Sequence, residues 1–256
     1  MLVVPGGPGF AHDPYIDFLL PFSQFVNILF YDPRGRGKSQ APEDLEGYQI
    51  GHEVLELHDL VEALREKLDF KQLILHGTSY GSMVAQGYAG KFPEKLSKLI
   101  LVAGAPSHEF LPLAKKELAK RGDAEQKSIC EKGLWPGNFD EKSLEEFSFQ
   151  TSTLYSYTTK EKILRYHSNE CSIPILNRAF RELFDQFDFT DRLSHIHCPT
   201  LILAGRYDWI NPPVLAEKIH QYVKESQLVV FENSGHSMPR DEPKVYFDVI
   251  ANFFKN

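Results

Sequence analysis

Over the first hundred residues, short apolar runs alternate with longer segments whose apolar residues recur every three or four positions. Four such runs lie at residues 2–4, 26–31, 73–76 and 99–102. Runs this short, rich in Val, Ile and Leu, are typical of buried strands. Between the second and third runs, the spacing of valines and leucines from Val54 to Leu68 predicts a helix. Strands that alternate with helices in this way favour a parallel sheet covered by helices.

The pattern changes in the middle of the chain. From residue 107 to residue 190 the periodicity is helical, as at Phe180, Leu183 and Phe184, and strand-like runs almost disappear. Beyond this segment we predict strands and helices again, at residues 200–204, 212–223, 227–231 and 245–254. We therefore expect an α/β core formed by residues 1–106 and 191–256, with a helical cap inserted at residues 107–190.

Composition narrows the class of protein. A chain of 256 residues with 42% hydrophobic and 25% charged residues can bury one large core. The net charge of −7 argues against a nucleic-acid partner, which would need clustered Lys and Arg. No apolar run approaches a membrane span, and three cysteines are too few for a disulfide scaffold. We expect a cytoplasmic protein with no membrane partner.

The chemistry is concentrated first at Gly77-Thr78-Ser79-Tyr80-Gly81, which directly follows an apolar run. The G-x-S-x-G pattern is typical of a strand that turns sharply into a helix and leaves one serine exposed. The flanking residues must be glycines because a Cβ would collide with the turn. Ser79 is the predicted nucleophile.

Serine needs a base to become nucleophilic, and the base needs an acid to orient it. Asp208 and His236 each follow a predicted strand downstream of Ser79. The carboxyl ends of parallel strands meet at one edge of a sheet, so three strand-end residues can converge. We predict that His236 accepts the Ser79 proton and that Asp208 fixes the histidine tautomer.

A tetrahedral intermediate also requires two hydrogen-bond donors for its oxyanion. The usual donors are the N–H after the nucleophile and one N–H from the loop after an early strand. Tyr80 and Gly7 occupy these positions. No metal is expected, because His195, His197 and Cys198 lie together in a loop that leads into a buried strand and lacks separated partners. No cofactor is expected either, since a serine hydrolase of this kind is cofactor-independent.

These motifs together resemble the prolyl aminopeptidase (proline iminopeptidase) branch of the α/β-hydrolases. The resemblance rests on Pro5-Gly6-Gly7-Pro8-Gly9, on the D-x-R-G-x-G-x-S match from Asp32 to Ser39, on the Ser79 segment, and on Asp208 and His236. It implies an α/β-hydrolase fold with a mainly parallel sheet, flanking helices and an inserted helical cap. It also implies release of an amino-terminal residue from small peptides through an acyl-enzyme on Ser79.

The chain departs from the family pattern in three ways. Pro5 stands where the family has His, and Trp209 stands where some members have an acid that holds the substrate amine. In the family, acids of the cap region hold the substrate amine, so the candidate substrate-binding residues are Glu170 and Glu182 in the cap, together with Trp209. Compared with the family, we expect the first two strands of the fold to be absent, so that residues 26–31 would form an exposed edge. A truncated amino terminus, or pairing in a homo-oligomer, would account for this.

Three functions remain open at this stage. The leading hypothesis is a cofactor-independent serine hydrolase acting on a small-molecule or short peptide substrate, as the resemblance implies. Because the amine-binding acids are unassigned, a carboxylesterase, lactonase or C–C bond hydrolase is an alternative with the same triad. A non-catalytic ligand receptor is the third, since a fold and a triad do not guarantee turnover.

Overall fold

The computed structural model describes residues 1–44 and 48–255, which form one six-stranded sheet with helices on both faces. The strands are β1 (Leu2–Val4), β2 (Leu29–Phe30), β3 (Ile74–Thr78), β4 (Lys98–Val102), β5 (Thr200–Gly205) and β6 (Ser226–Phe231). They are ordered β2-β1-β3-β4-β5-β6, and each neighbouring pair is parallel. The predicted parallel sheet is confirmed.

Helices connect the strands and form the insertion. They are α1 (Ile16–Leu19), α2 (Ile50–Leu68), α3 (Tyr80–Lys91), α4 (Phe110–Arg121), α5 (Ala124–Ile129), α6 (Glu141–Gln150), α7 (Ser152–Tyr155), α8 (Ile173–Arg178), α9 (Pro213–Tyr222), α10 (Met238–Asp241) and α11 (Pro243–Lys255). None of these helices combines the length and apolar character that crossing a bilayer requires.

The strands bury both faces because successive side chains point to opposite sides of the sheet. In β4, Leu99 and Leu101 pack on the side of α2, α3 and α9, whereas Ile100 and Val102 pack on the side of α11. The near-continuous apolar runs in the sequence arise from this two-sided burial. The sheet therefore forms a rigid base whose carboxyl edge carries the loops of the candidate site.

The second strand is shorter than predicted. Only Leu29 and Phe30 pair with β1, although residues 26–31 form one apolar run. The pairing partner has only three residues, and Val26 and Ile28 pack against the α11 side of the core instead. Among the described residues, β2 has no second neighbour and stands at the sheet edge, as expected.

The cap elements, α4 to α8, lie between β4 and β5 and have an apolar core of their own. Leu118, Leu144 and Phe147 are buried in it. A bridge between Ser107 and Asp188 joins the two ends of the insertion. The domain boundaries at 107 and 190 stay a prediction.

The cap is also hydrogen-bonded to the glycine loop, residues 5–9. Phe10 forms an antiparallel bridge with Cys171, and the Ser172 N–H donates to the Gly9 carbonyl at 2.8 Å. A Cβ on Gly9 would lie 2.8 Å from the Ser172 oxygen, and Gly9 has a φ of +113°. Only glycine allows the two backbones to approach this closely.

Candidate active site

Ser79 lies at the junction of β3 and α3 in a conformation that L residues rarely adopt. Its φ is 56° and its ψ is −119°. A Cβ on Gly77 would lie 2.3 Å from the Gly81 oxygen, and one on Gly81 would lie 2.2 Å from the Val4 oxygen. The strained turn and its two glycines are the geometry that the G-x-S-x-G pattern predicts.

The glycine requirement can be measured by stability. Gly81→Ala is expected to lower the free energy of unfolding by about 1–3 kcal/mol, because the new methyl group would collide with backbone of β1. Gly51→Ala is the matched control, since a Cβ at this exposed position of α2 meets nothing within 4 Å. Urea denaturation should show that the control is unchanged or more stable by about 0.4–1 kcal/mol. Equal stability of the two variants would contradict this account of the turn.

Asp208 and His236 come together at the carboxyl ends of β5 and β6. The Nδ1 atom of His236 lies 2.7 Å from Oδ2 of Asp208, whose side chain is fully buried. The other oxygen, Oδ1, accepts the N–H groups of Ile210 and Asn211, both at 2.9 Å. The carboxylate is thus fixed in one orientation with one oxygen reserved for the histidine.

Ser79 and His236 line the same cavity, which has a volume of about 1210 Å³ and lies between the sheet edge and the cap. Gly7 and Tyr80 line it as well. Aromatic side chains from the cap form much of its wall, among them Phe147, Tyr155, Tyr166, Phe180 and Phe184. The structure therefore brings the predicted nucleophile, base and oxyanion donors to one chamber of a size suited to a small substrate.

Gly7 and Tyr80 both have N–H groups available to a substrate. Within the described part of the chain, neither N–H donates to a protein acceptor. Tyr80 is the first residue of α3, so its N–H lies at the positive end of the helix dipole. Gly7 has a φ of +51°. These two groups can hold an oxyanion, as predicted.

Tyr15 supports the glycine loop and was missed by the sequence reasoning. The Gly6 N–H donates to the Tyr15 hydroxyl oxygen at 2.7 Å, beside the position where Pro5 replaces the family histidine. Burial raises the pKa of Tyr15 to about 12, so the hydroxyl stays neutral at physiological pH. No local signal around Tyr15 marks this role, since the contact forms only in the folded chain.

The motif from Asp32 to Ser39 explains how Tyr80 is held. Arg36 is 1% exposed, and its Nη2 donates at 2.5 Å to Oε1 of Glu53. The Tyr80 hydroxyl donates to the same oxygen at 2.7 Å. A buried arginine–glutamate pair therefore anchors the side chain of the residue whose N–H faces the cavity.

Asp32 has a structural role in the same motif. Its Oδ1 accepts the His12 N–H at 3.1 Å, and its Oδ2 accepts the Lys38 N–H at 3.0 Å. Burial would raise the pKa of Asp32, but these hydrogen bonds and His12 hold it below its ordinary value. The side chains of His12, Asp13 and Asp32 are near enough to one another to share a metal ion. The internal hydrogen bonds already account for the Asp32 oxygens.

The structure places the three candidate substrate-binding residues in different surroundings. Glu170 lines the cavity, although its carboxylate also accepts the His167 N–H at 3.2 Å. Glu182 does not line the cavity: its side chain is 46% exposed and pairs with Arg178 at 3.4 Å. Its proposed role in binding is corrected, because the helical turn at 179–183 directs it outward.

The prediction that Trp209 binds the substrate is corrected as well. It is 0% exposed and packs edge-on against Trp135 and Tyr155, behind the cavity wall. Its place directly after Asp208 in the chain does not bring its side chain to the cavity. Two carboxylates that the sequence reasoning missed, Asp13 and Asp17, line the cavity instead.

Asp241 links the cap to the histidine loop, residues 235–237. Its carboxylate accepts five hydrogen bonds, from Ser156, Tyr157, the backbone and hydroxyl of Thr158, and the Gly235 N–H. Burial would raise the pKa of Asp241, but hydrogen bonds from Ser156, Thr158 and Gly235 hold it below its ordinary value. The residue before His236 is therefore linked to the cap through Asp241.

Asp241→Asn should destabilise the protein by about 1–3 kcal/mol at pH 7, because an amide nitrogen cannot accept these hydrogen bonds. A carboxylate with a depressed folded pKa stabilises above its unfolded pKa, near ~3.9, and this stabilisation is lost as the pH falls through the folded value. The difference from wild type should therefore shrink below about pH 4. Urea denaturation from pH 3 to pH 7 measures it.

The control for this substitution is Asp248→Asn. Asp248 is half exposed, and its one ion pair among the described residues is with Lys244, within one helix turn. Its loss should cost less than about 1 kcal/mol at any pH. A pH-independent effect of Asp241→Asn, or an effect no larger than that of the control, would contradict the inferred role.

Comparison with known proteins decides the family. A family model described as the alpha/beta hydrolase fold matches residues 1–243. The chain belongs to the α/β-hydrolase fold family. The expected fold is thereby confirmed, and with it the expectation of a hydrolase enzyme.

Curated relatives of this α/β-hydrolase include several proline iminopeptidases. The protein of that name from Saccharolobus solfataricus is 29% identical in an alignment that covers 99% of this chain and 84% of the relative. The one from Lactobacillus helveticus is 30% identical over 250 residues, covering 92% of this chain and 83% of the relative. The resemblance inferred from the motifs is confirmed.

Solved structures show the same fold. An alpha/beta fold family hydrolase from Bacillus anthracis superposes with a TM-score of 0.77 at 20% identity, covering 99% of this α/β-hydrolase and 91% of that chain. The proline iminopeptidase of Mycobacterium smegmatis gives a TM-score of 0.76 at 18% identity, covering 99% and 88%. At such identities the likeness supports the architecture only.

Proposed function

We propose that this α/β-hydrolase is a serine hydrolase in which Ser79, His236 and Asp208 form a catalytic triad. One observation carries the proposal. Ser79, with a φ of 56°, opens into the cavity that His236 lines, and the Nδ1 of that histidine lies 2.7 Å from the buried carboxylate of Asp208. A chance arrangement would not combine a strained serine, an oriented imidazole and a fixed acid.

The chemistry follows from these positions. Ser79 Oγ attacks the substrate carbonyl carbon while His236 Nε2 takes the hydroxyl proton, and the N–H groups of Gly7 and Tyr80 stabilise the oxyanion. The intermediate collapses when His236 gives the proton to the leaving group. Water then attacks the acyl-enzyme by the same route and restores Ser79. Asp208 keeps the proton on Nδ1 and stabilises the imidazolium.

The substrate that the site supports best is a short peptide with a free amino terminus, including one that begins with proline. The curated relatives named proline iminopeptidase support this assignment. The cavity offers carboxylates at Asp13, Asp17 and Glu170, which suit a cationic amine. The triad supplies every proton transfer, so the reaction needs no cofactor. We place the enzyme in the cytoplasm, since its three cysteines are free and buried.

Two observations favour an ester, lactone or ketone as the substrate. Glu182 and Trp209, two of the three residues named from the sequence for substrate binding, do not line the cavity. Much of the wall is aromatic, which suits an apolar acyl group. The same triad would then act as a carboxylesterase, lactonase or C–C bond hydrolase.

The deciding experiment compares aminoacyl naphthylamides, prolyl among them, with p-nitrophenyl esters of short acids. We expect hydrolysis of the prolyl and other aminoacyl amides, with none by Ser79→Ala. Cleavage of esters without any aminoacyl amide activity would refute the aminopeptidase assignment and favour the second candidate. Failure to cleave either class, together with no fluorophosphonate adduct on the wild-type protein, would favour the non-catalytic receptor.

A further inference from the structure

We propose that Arg165 binds a carboxylate of the substrate, so that the preferred substrates are short peptides that end in a free carboxylate. The inference rests on the proposed aminopeptidase function and adds the part of the substrate that lies beyond the scissile bond. No motif predicts it, because Arg165 lies in a cap segment without a recognisable pattern.

Arg165 lies beside the reacting groups. It lines the cavity, and its Cζ atom lies 3.7 Å from the centre of the Tyr155 ring. That ring in turn lies edge-on to His236, with 5.5 Å between the ring centres. The guanidinium is therefore separated from the histidine by a single aromatic ring.

The guanidinium is held in place by hydrogen bonds to neutral acceptors of the cap. Its Nε donates to the Ser148 carbonyl at 3.3 Å, and its Nη2 donates to the Thr151 hydroxyl at 3.2 Å. The backbone N–H of Arg165 donates to Ser148 Oγ at 3.0 Å. Arg165 also makes side-chain hydrogen bonds to Tyr155 and Tyr166. A substrate carboxylate would therefore replace these neutral phenol oxygens as the acceptor of guanidinium N–H groups, and a charged acceptor binds them more strongly.

The charge of Arg165 has no counter-ion in the part of the chain that the structure describes. Among the described residues, no carboxylate forms an ion pair with it, although other surface arginines such as Arg34 and Arg206 have such partners. Its aromatic neighbours do not supply a negative charge either, since burial raises the pKa of Tyr155 to about 12 and that of Tyr166 still further. A partly buried, unpaired cation favours binding of an anion.

The chemistry selects a carboxylate at short range. The planar guanidinium can present its Nη1–Nη2 edge to a carboxylate in a bidentate arrangement. An extended peptide advances about 3.3–3.6 Å per residue, so the terminal carboxylate of a dipeptide or tripeptide stays within reach of the cavity. With Asp13, Asp17 and Glu170 also in the wall, the cavity carries both charges that a zwitterionic short peptide presents.

The test uses prolyl-alanine and its carboxamide, prolyl-alaninamide, which differ only in the charge of the leaving group. We expect wild-type kcat/KM to be at least about tenfold higher for the free acid. Arg165→Gln should lower kcat/KM for the acid about 10- to 100-fold and leave the value for the amide nearly unchanged. Arg165→Lys, which keeps the charge, should retain part of the preference and guards against misfolding of the first variant.

Arg240→Gln is the matched control, because Arg240 also lines the cavity but is exposed. It should leave the preference for the acid unchanged. Equal rates for acid and amide in the wild type, an equal loss on both substrates in Arg165→Gln, or loss of the preference in Arg240→Gln would each overturn the proposal. None of these results would count against the aminopeptidase function.

Binding measurements distinguish the proposed carboxylate site from the proposed aminopeptidase function. Calorimetry with Ser79→Ala should show tighter binding of the acid than of the amide, and Ser79→Ala with Arg165→Gln should bind both equally weakly. If the wild type hydrolyses neither compound while this binding preference holds, the proposed function fails and the carboxylate site stands. If Ser79→Ala binds both compounds with equal affinity, the carboxylate site fails.

Discussion

Ser79→Ala is expected to lower kcat/KM about 10⁴- to 10⁶-fold and to abolish the fluorophosphonate adduct seen by intact-protein mass spectrometry. The Ser79 hydroxyl is the group that forms the acyl bond in the proposed mechanism, and Ala keeps the β-carbon at this strained position. The fold should be retained, so thermal unfolding of the variant should resemble that of the wild type.

The matched control is Ser172→Ala. Ser172 lines the same cavity and contacts the glycine loop through its backbone N–H, which the substitution leaves in place. This variant should still form the adduct and should lose at most a few-fold in kcat/KM. An adduct on Ser79→Ala, or loss of the adduct in Ser172→Ala alone, would show that the nucleophile has been assigned to the wrong serine.

Asp208→Asn is expected to lower kcat about 10⁴-fold with little change in the fold. The reason is geometric. Oδ1 of Asp208 accepts two backbone N–H groups, from Ile210 and Asn211, so the oxygen of the new amide must stay on that side. Its NH₂ group would then donate to Nδ1 of His236, which moves the imidazole proton to Nε2. That nitrogen can no longer accept a proton from Ser79.

A pH-rate profile measures the fall in kcat, and circular dichroism checks that the fold is retained. Asn211→Ala is a useful comparison, because it removes the side-chain hydrogen bond from Asn211 to the Ala103 carbonyl but keeps the backbone N–H that Asp208 accepts. It should lose stability without a comparable fall in kcat. Retention of more than about a tenth of wild-type kcat by Asp208→Asn would remove Asp208 from the triad.

Sequence reasoning succeeded where the relevant contacts are local. The turn at Ser79 is encoded by its two glycines, and β4 is encoded by five neighbouring residues that bury both faces of the sheet. The convergence of Asp208 and His236 was also predictable, because parallel strands deliver their carboxyl ends to one edge. In these cases, the position of a residue within or directly after a strand was enough to predict where it lies in the fold.

Sequence reasoning failed where a contact depends on the tertiary path of the chain. Trp209 was named because it follows Asp208, yet its side chain turns away into the apolar cluster under the cap. Tyr15 and Asp241 support the glycine loop and the histidine loop from positions 9 and 6 residues away. Such pairings carry no periodic signal, and Arg165 belongs to the same class.

The strand prediction at residues 26–31 shows a third limit. An apolar run indicates burial, but burial against a sheet neighbour and burial against a helix look alike in sequence. Here β1 offers only three residues for pairing, and the rest of the run packs on the α11 side. The length of the partner strand, not the run itself, determines how much of it becomes a strand.

The attachment of the cap at two places has a consequence for how this protein can be recombined. Residues 171–172 hold the loop that offers the Gly7 N–H, and residues 156–158 hold Asp241 and through it the loop before His236. Exchanging the cap for that of a relative would therefore also change the support of both loops. In this protein the cap is not an interchangeable module, and altered specificity would have to evolve inside it around those two fixed segments.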